Sequence, residues 1–184
     1  MNNLLGGLLT IMRRFQDSRM KIAAVTLLIA SPWLIVQVGI FVLAPDKEFD
    51  SIPVCAENIG NCAHLGGGDD YRLNEQYPSI INLTADVVYD NLNDYLDDNA
   101  WDILIDESTD GTHYVHFVEV TPFWLLPDDV VVSIQDIGDS CIIEIHSESR
   151  LGWGDIGVNP ATVSYTHLRA HETGRNLVCR LLLE

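Results

Sequence analysis

The longest hydrophobic pattern in the chain covers residues 22–44, which are 23 residues without a charged side chain. At about 1.5 Å per helical residue, this segment reaches roughly 34 Å, enough to cross a hydrocarbon core of about 30 Å. Backbone groups inside a bilayer must bond within their own segment, so a helix is the state expected there. The pattern predicts one transmembrane helix over residues 22–44.

The charges that flank this segment predict its orientation. Residues 1–21 hold four basic side chains and one acid, whereas residues 45–50 hold three acids and Lys47. Cytoplasmic flanks are rich in Lys and Arg, so residues 1–21 are expected inside the cell and the chain from Pro45 outside. A cleaved signal peptide is the alternative, since residues 42–44 resemble a small-residue processing site. The length of the apolar run, with Pro45 directly after it, favours an anchor.

Residues 84–98 have the hydrophobic period of an amphipathic helix. The apolar positions follow the i, i+4, i+7, i+8 spacing of one helix face: Val88, Leu92, Tyr95 and Leu96. Thr84 is placed to cap the first turn, and Asp86 suits the positive end of the helix dipole. We predict a helix here.

Four short apolar runs follow, with turn residues between them: 101–107, 112–120, 129–135 and 141–147. Such a series is typical of an antiparallel meander. In the last run Cys141, Ile143 and Ile145 alternate with mostly polar positions, so one face should be apolar and the other largely solvated. The sequence therefore predicts an α+β fold, in which an antiparallel four-stranded sheet over residues 84–162 is covered by the helix and preceded by one transmembrane helix.

The cysteines are expected to have structural roles. Cys55 and Cys62 lie seven positions apart within residues 45–83, which show no strand or helix period and are predicted to be a loop. Outside the cytoplasm this spacing favours a disulfide between them. Cys141 falls at an inward position of a strand, which is typical of a buried small residue and not of a reactive thiol.

The charge of the predicted exported part excludes two kinds of partner. Residues 45–162 hold 24 Asp and Glu but only Lys47, Arg72 and Arg150, which gives a net charge of −21. Nucleic acid and close docking onto an anionic lipid surface both require a basic patch, so neither is expected. Solubility in salty surroundings is the simplest reason for such a surface, and an acidic binding face is the alternative.

The last segment, residues 163–184, differs in composition from the domain, with three arginines in 22 residues. Its runs 163–173 and 176–184 resemble the translation of a sequencing-library adapter and of the primer site beyond it. This resemblance predicts that the segment is not native protein and that the true C-terminus is missing. It is therefore left out of the fold prediction, and His167, His171 and Cys179 receive no function.

The densest polar pattern lies in residues 147–159, where three glycines within six residues let the backbone turn sharply. Its spacing is Ser-Arg-x-Gly-x-x-Asp-x-Gly-x-Asn, carried by Ser149, Arg150, Gly152, Asp155, Gly157 and Asn159. With the Asp-Asp-Val run at residues 128–130 and the cysteine loop, this motif resembles the bacterial family of domain of unknown function 1499, over residues 77–159. The resemblance implies a family label without an established activity.

The sequence departs from that family at three places. Many members of the family carry arginine where Ser133 and His146 stand. The Arg-Ile helix that follows the motif asparagine in the family is absent here, in agreement with truncation at the adapter junction. The resemblance therefore does not transfer a site that depends on those arginines.

Three interpretations of the motif residues stay open. Arg150 is the arginine near the acidic pair Asp128 and Asp129, so a structural salt bridge is one of them, with Asp155 capping the following turn or a helix beyond it. A second is a pocket for a small ligand or headgroup, formed by Asp128, Asp129, Arg150, Asp155 and Asn159. A third is a calcium site built on Asp155 and Asn159, because extracellular calcium prefers loop oxygens.

The histidines do not predict a metal site, and no cofactor is expected. His113 and His116 are three positions apart on a predicted strand and should point to opposite faces. His64 lies near Cys62, but two ligands do not make a zinc site.

Two functional hypotheses follow. The first is a membrane-anchored protein of the bacterial inner membrane, N-terminus inside, whose exported domain is a non-catalytic binding module for an envelope protein or an amphiphile such as lipid. The second is a hydrolase-like or metal-assisted enzyme that uses Asp128, Asp129, His146 and Asp155. An enzyme needs these four side chains within a few ångströms around a concave pocket, whereas a binding module needs only a shaped surface.

Overall fold

The computed structural model describes residues 2–68, 70–73 and 77–171, with side chains from residue 17 onward. The chain forms two compact units, of which the first ends at Leu43 and the second begins at Ala44. The first unit is one helix, α1 (Asn2–Leu43). Within it, Asp17–Leu43 is 27 residues long with a mean hydropathy of 2.1, so it is long and apolar enough to cross a membrane. A signal sequence would pass the same test.

The second unit combines helices with an antiparallel sheet, which confirms the predicted α+β class. Its helices are α2 (Ala85–Asn99) and α3 (Val158–His171). Its strands are β1 (Cys62–Leu65), β2 (Ile80–Ile81), β3 (Asp102–Thr109), β4 (Thr112–Val120), β5 (Pro127–Asp136) and β6 (Cys141–Ser149). The order in the sheet is β1-β6-β5-β4-β3, with β2 also paired to β6. Within the described residues the sheet thus has six strands, and the predicted count of four is wrong.

The two additional strands lie inside the segment that was predicted to be loop. β1 has four residues, all buried, and β2 has two, so neither displays a readable alternation. Both depend on β6 for their hydrogen bonds: Ala63 pairs with Ser147, and Ile81 pairs with Cys141. A strand that exists because of a distant partner leaves little trace in its own sequence.

Strands β3 to β6 form the predicted meander, and their ends differ from the prediction by no more than two residues. The turn between β3 and β4 is Asp110-Gly111, with φ of 48° and 78°. Two successive left-handed residues match the right-handed twist of the flanking strands, which explains the Asp-Gly pair at this hairpin.

Other parts of the chain pack on both faces of the sheet. On the helix face, α2 and α3 pack against apolar side chains that include Phe117, Val130 and Ile143. On the opposite face, here called the strap face, the strap of residues 44–60 contacts His116 and joins β1 through a disulfide. The prediction of a largely solvated second face is therefore wrong at His146, which is fully buried.

The two helices differ in how well they agree with the prediction from the sequence. α2 confirms the predicted helix, but Thr84, at its N-cap position, makes no side-chain capping hydrogen bond. α3 stands where the family helix was expected to be absent, and it buries Val163 and Ala170. The adapter origin of residues 163–184 stays a prediction, and residues 172–184, with Cys179, lie outside the described part of the chain.

Candidate functional site

The motif loop, residues 150–157, connects β6 to α3. Gly152 and Gly157 have φ of 97° and 88°, a conformation that side chains with a Cβ rarely adopt. The loop closes against the strap, because the Asp155 backbone N–H donates to the Gly60 carbonyl at 3.1 Å. A Cβ on Gly60 would lie 2.9 Å from the carbonyl oxygen of Trp153, so this contact requires glycine. These glycines explain how the loop adopts its path.

Asp155 holds the start of α3. Its carboxylate accepts hydrogen bonds from the backbone N–H of Gly157 at 2.9 Å and of Asn159 at 3.0 Å, as predicted for a capping residue. It also forms an ion pair with Arg72 at 2.9 Å, and its side chain is almost fully buried. Burial acts to raise the pKa of Asp155, but these hydrogen bonds hold it below its usual value.

Asn159 connects α3 to the sheet. Its side-chain N–H₂ group donates to the Asn61 carbonyl and to the Ser149 hydroxyl, each at 2.8 Å. Its side-chain oxygen accepts a hydrogen bond from the Ser147 hydroxyl. The oxygens of Asp155 and Asn159 thus face protein donors, and the calcium interpretation gains no support from their geometry.

Arg150 and Asp129 form a buried ion pair on the strap face. Arg150 donates to both carboxylate oxygens of Asp129, at 2.7 and 2.6 Å, and to Asp46 of the strap at 2.6 Å. His116 Nε2 lies 2.9 Å from the same carboxylate, and its Nδ1 accepts the Phe49 backbone N–H at 3.3 Å. Burial opposes ionisation, but the bonds from Arg150 and His116 lower the pKa of Asp129. This is the salt bridge that the first interpretation expects.

The five candidate ligand residues do not share one pocket. Asp128 and Asp129 are consecutive on β5, so their side chains point to opposite faces of the sheet. Asp129 and Arg150 therefore belong to the strap face, whereas Asp128 and Asn159 belong to the helix face, beside Asp155 at the start of α3. All five surround the base of the motif loop.

Glu119, which no pattern in the sequence singled out, forms an acidic pair with the candidate residue Asp128 on the helix face. Glu119 and Asp128 are direct cross-strand neighbours on β4 and β5. Glu119 accepts hydrogen bonds from the hydroxyls of Tyr95 and Thr162. Burial raises the pKa of both carboxyl groups, that of Asp128 to about 6. The available signal was that both residues occupy inward positions of their strands.

Removing the charge of Asp128 should stabilise the protein at neutral pH. Its pKa is raised on folding, so the free energy of unfolding falls as the pH rises from about 4 to 6 and stays low above that. We expect Asp128→Asn to raise the free energy of unfolding by about 2 kcal/mol at pH 7 and to change it little at pH 4. Denaturant unfolding at both pH values measures this difference.

Asp94→Asn is the matched control, because it removes one carboxylate from an exposed position of α2. It should change the free energy of unfolding by less than about 0.5 kcal/mol at either pH. If Asp94→Asn and Asp128→Asn changed the free energy of unfolding equally, the burial of Asp128 would not be the cause of its effect.

The four residues of the enzyme hypothesis are distributed over both faces. His146 lies on the strap face, where its ring contacts Cys62, His64 and Glu148. Asp128 lies on the helix face, and Asp155 is occupied with Arg72 and the first turn of α3. An open groove lies elsewhere on the strap face, lined by Asp50, Ile105, Glu107, Thr109, Thr112 and Tyr114. The geometry does not assemble the proposed catalytic group.

Large apolar side chains are exposed at one end of the sheet. This apolar end consists of Trp101, Phe123, Trp124, Trp153 and Ile156. In an antiparallel meander, the start of β3, the β4–β5 loop and the motif loop lie at the same end. Trp153 and Ile156 on the motif loop are exposed by 96% and 104%. Ile156 also has φ of 54°, an unfavourable conformation for a β-branched residue, so the loop holds it in place.

An antiparallel sheet with helices on one face, a strap on the other and an apolar N-terminal helix defines a small α+β domain protein. The chain belongs to the family described as protein of unknown function (DUF1499), whose profile matches residues 67–169. This match confirms the resemblance carried by the motif. Neither the curated proteins nor the solved structures contain a significant match.

Proposed function

We propose that the chain is a membrane-anchored envelope protein whose exported domain is a non-catalytic lipid-binding module. In this proposal α1 crosses the bacterial inner membrane once, with the N-terminus inside, and the apolar end contacts the outer leaflet. The observation that carries it is the nearly complete exposure of Trp153 and Ile156 on a loop that the protein holds in a strained conformation. Exposed aromatic and aliphatic clusters mark interaction sites.

The polar residues of the motif support this role by fixing the loop. Asp155 and Asn159 attach its C-terminal side to α3 and to the sheet. Arg150 attaches its N-terminal side to β5 and to the strap. A loop fixed at both sides presents its apolar side chains at little cost in conformational entropy on binding. The candidate ligand residues then act by positioning the loop.

Chain continuity favours the bilayer as the binding partner. Ala44 directly follows α1, and its carbonyl lies 3.5 Å from Arg150 Nη1 at the base of the motif loop. Ala44, the first residue of the domain, therefore lies at the same end of the sheet as the exposed apolar side chains. Trp side chains are enriched at the interface between membrane and water, where an apolar ring and a polar N–H both find partners. The acidic composition favours zwitterionic over anionic lipid.

Quenching of tryptophan fluorescence by brominated lipid tests the proposal. The full chain would be placed in phosphatidylcholine vesicles with Trp33, Trp101 and Trp124 replaced by Phe, so that Trp153 alone reports. We expect strong quenching by lipids brominated near the top of the acyl chain, because the ring lies at the level of the headgroups.

The matched control moves the reporter to the opposite end of the sheet. In a chain that lacks all four tryptophans, Ile137→Trp places an exposed ring in the turn between β5 and β6. Its fluorescence should be insensitive to the brominated lipid. Equal quenching of the two reporters, or none in either, would contradict the proposed contact between the apolar end and the bilayer.

A further inference from the structure

Two buried histidines and a disulfide meet on the strap face. Cys62 and His64 lie on β1, and His146 lies opposite on β6. His146 Nδ1 is 3.4 Å from His64 Nδ1 and 3.9 Å from the Sγ of Cys62. The Sγ atoms of Cys55 and Cys62 and a ring nitrogen of His146 all lie within 4.8 Å of one another. The sequence predicted no metal site, because Cys62 and His64 supply only two ligands, and His146 is 84 positions from Cys62.

The Nε2 atom of each histidine contacts a carboxylate. His64 Nε2 lies 3.2 Å from Glu144, and His146 Nε2 lies 3.4 Å from Glu148 and 3.6 Å from the Sγ of Cys62. A carboxylate accepts hydrogen bonds, so these contacts favour the tautomer with the proton on Nε2 and the lone pair on Nδ1 in each histidine. A carboxylate behind a histidine is the arrangement that orients imidazole ligands in metal sites. Two lone pairs that face each other at 3.4 Å are stabilised by a cation bound to both.

The spacing around His146 is close to that of a tetrahedral zinc ion, and His64, which contacts His146 but lies outside the group of three, has to approach the sulfurs to become a fourth ligand. Zinc binds imidazole nitrogen at about 2.0 Å and thiolate at about 2.3 Å, which places neighbouring ligand atoms about 3.3 to 3.7 Å apart. The distances between His146 and its neighbours His64 and Cys62 are 3.4 and 3.9 Å, close to these values. The bond between Cys55 and Cys62 keeps both sulfurs from acting as thiolate ligands.

We infer that Cys55, Cys62, His64 and His146 form a redox-gated zinc site, closed by the disulfide and opened by reduction. A protein dithiol would reduce it: the two S–H groups of the donor become a disulfide, and the Cys55–Cys62 bond becomes two thiols. Zinc then binds both sulfurs as thiolates and releases their two protons to solvent. The two histidines complete the coordination.

Cobalt(II) is the spectroscopic probe, because tetrahedral cobalt with thiolate ligands has a charge-transfer band and intense visible bands. The full chain in detergent micelles, with Cys141 and Cys179 replaced by serine, would be titrated before and after reduction with a phosphine. We expect no binding before reduction and one cobalt ion per chain after it, displaced by zinc. Circular dichroism confirms that the fold persists.

Variants separate this site from nonspecific thiolate binding. Cys55→Ser, at a partly exposed position, should abolish the thiolate band. Glu148→Gln should weaken cobalt binding about 10- to 100-fold by loosening His146, whereas Glu57→Gln, an exposed acid between the two cysteines, should not change it.

Three results would overturn the inference. The first is a reduced, folded chain without the band. The second is a band that persists in His64→Gln and in His146→Gln, since the two cysteines alone would then bind the metal. The third is unfolding on reduction that zinc does not reverse.

Discussion

Replacing Arg150 with alanine should destabilise the domain that follows α1 by about 3 to 5 kcal/mol. The substitution leaves the carboxylate of Asp129 buried without its cation, and it removes the bond from the motif loop to Asp46. Small domains are stable by about 5 to 15 kcal/mol, so the loss is a large fraction of the total. Denaturant unfolding of the full chain in micelles, followed by circular dichroism, measures it.

Two further variants show which contact of Arg150 causes this loss of stability. Arg150→Lys keeps the charge but loses the paired hydrogen bonds to Asp129, so its effect should be intermediate. Asp46→Ala removes only the exposed partner and should cost less than about 1 kcal/mol. If Arg150→Ala were no more destabilising than Asp46→Ala, the ion pair with Asp129 would not be a stabilising element.

Replacing Asp155 with alanine should cost about 3 kcal/mol. It leaves Arg72 without its carboxylate partner and removes the acceptor for the backbone N–H groups of Gly157 and Asn159. Because folding lowers the pKa of Asp155, its stabilising effect is present above about pH 4 and is lost as the pH falls through the lowered value. The difference between wild type and variant should therefore shrink in acid.

Asp155→Asn helps to separate the contribution of the ion pair with Arg72 from that of the backbone hydrogen bonds. The two backbone N–H groups bond to different oxygens of Asp155, so the single amide oxygen can accept only one of them. The amide also does not form the ion pair with Arg72, so more than half of the loss is expected. Unfolding curves of both variants at pH 7 and pH 3 provide the measurement. A loss for Asp155→Ala that is the same at both pH values would show that the charge of Asp155 does not contribute.

The parts of the fold that follow from the sequence are those with local periods. α2 repeats apolar residues at helical spacing. β3 to β6 are short apolar runs separated by turn residues, so each element could be recognised from its own sequence. β1 is different, because its four residues are buried on both faces and owe their state to β6. The strap has no period either, and it covers the sheet through single contacts such as Phe49 with His116.

The candidate site was predictable in its residues but not in its arrangement. The motif spacing identified Arg150, Asp155 and Asn159, and the structure places all three around one loop. Which face each side chain occupies depends on strand register, and this separates Asp128 from Asp129. The raised pKa of Glu119 depends on burial beneath the helices, and no local pattern in the sequence reports that.

The pairing of β1 with β6 also determines the order in which the domain can fold. During synthesis the N-terminal segments emerge first, so the strap and β1 appear long before their partner strand. The Cys55–Cys62 disulfide closes a short loop and can form early. The hydrogen bonds of β1 must wait until residues 145–148 arrive, 80 to 86 positions after their partners. Until then β1 has no partner strand, and the partial sheet of β3, β4 and β5 has an open edge at β5.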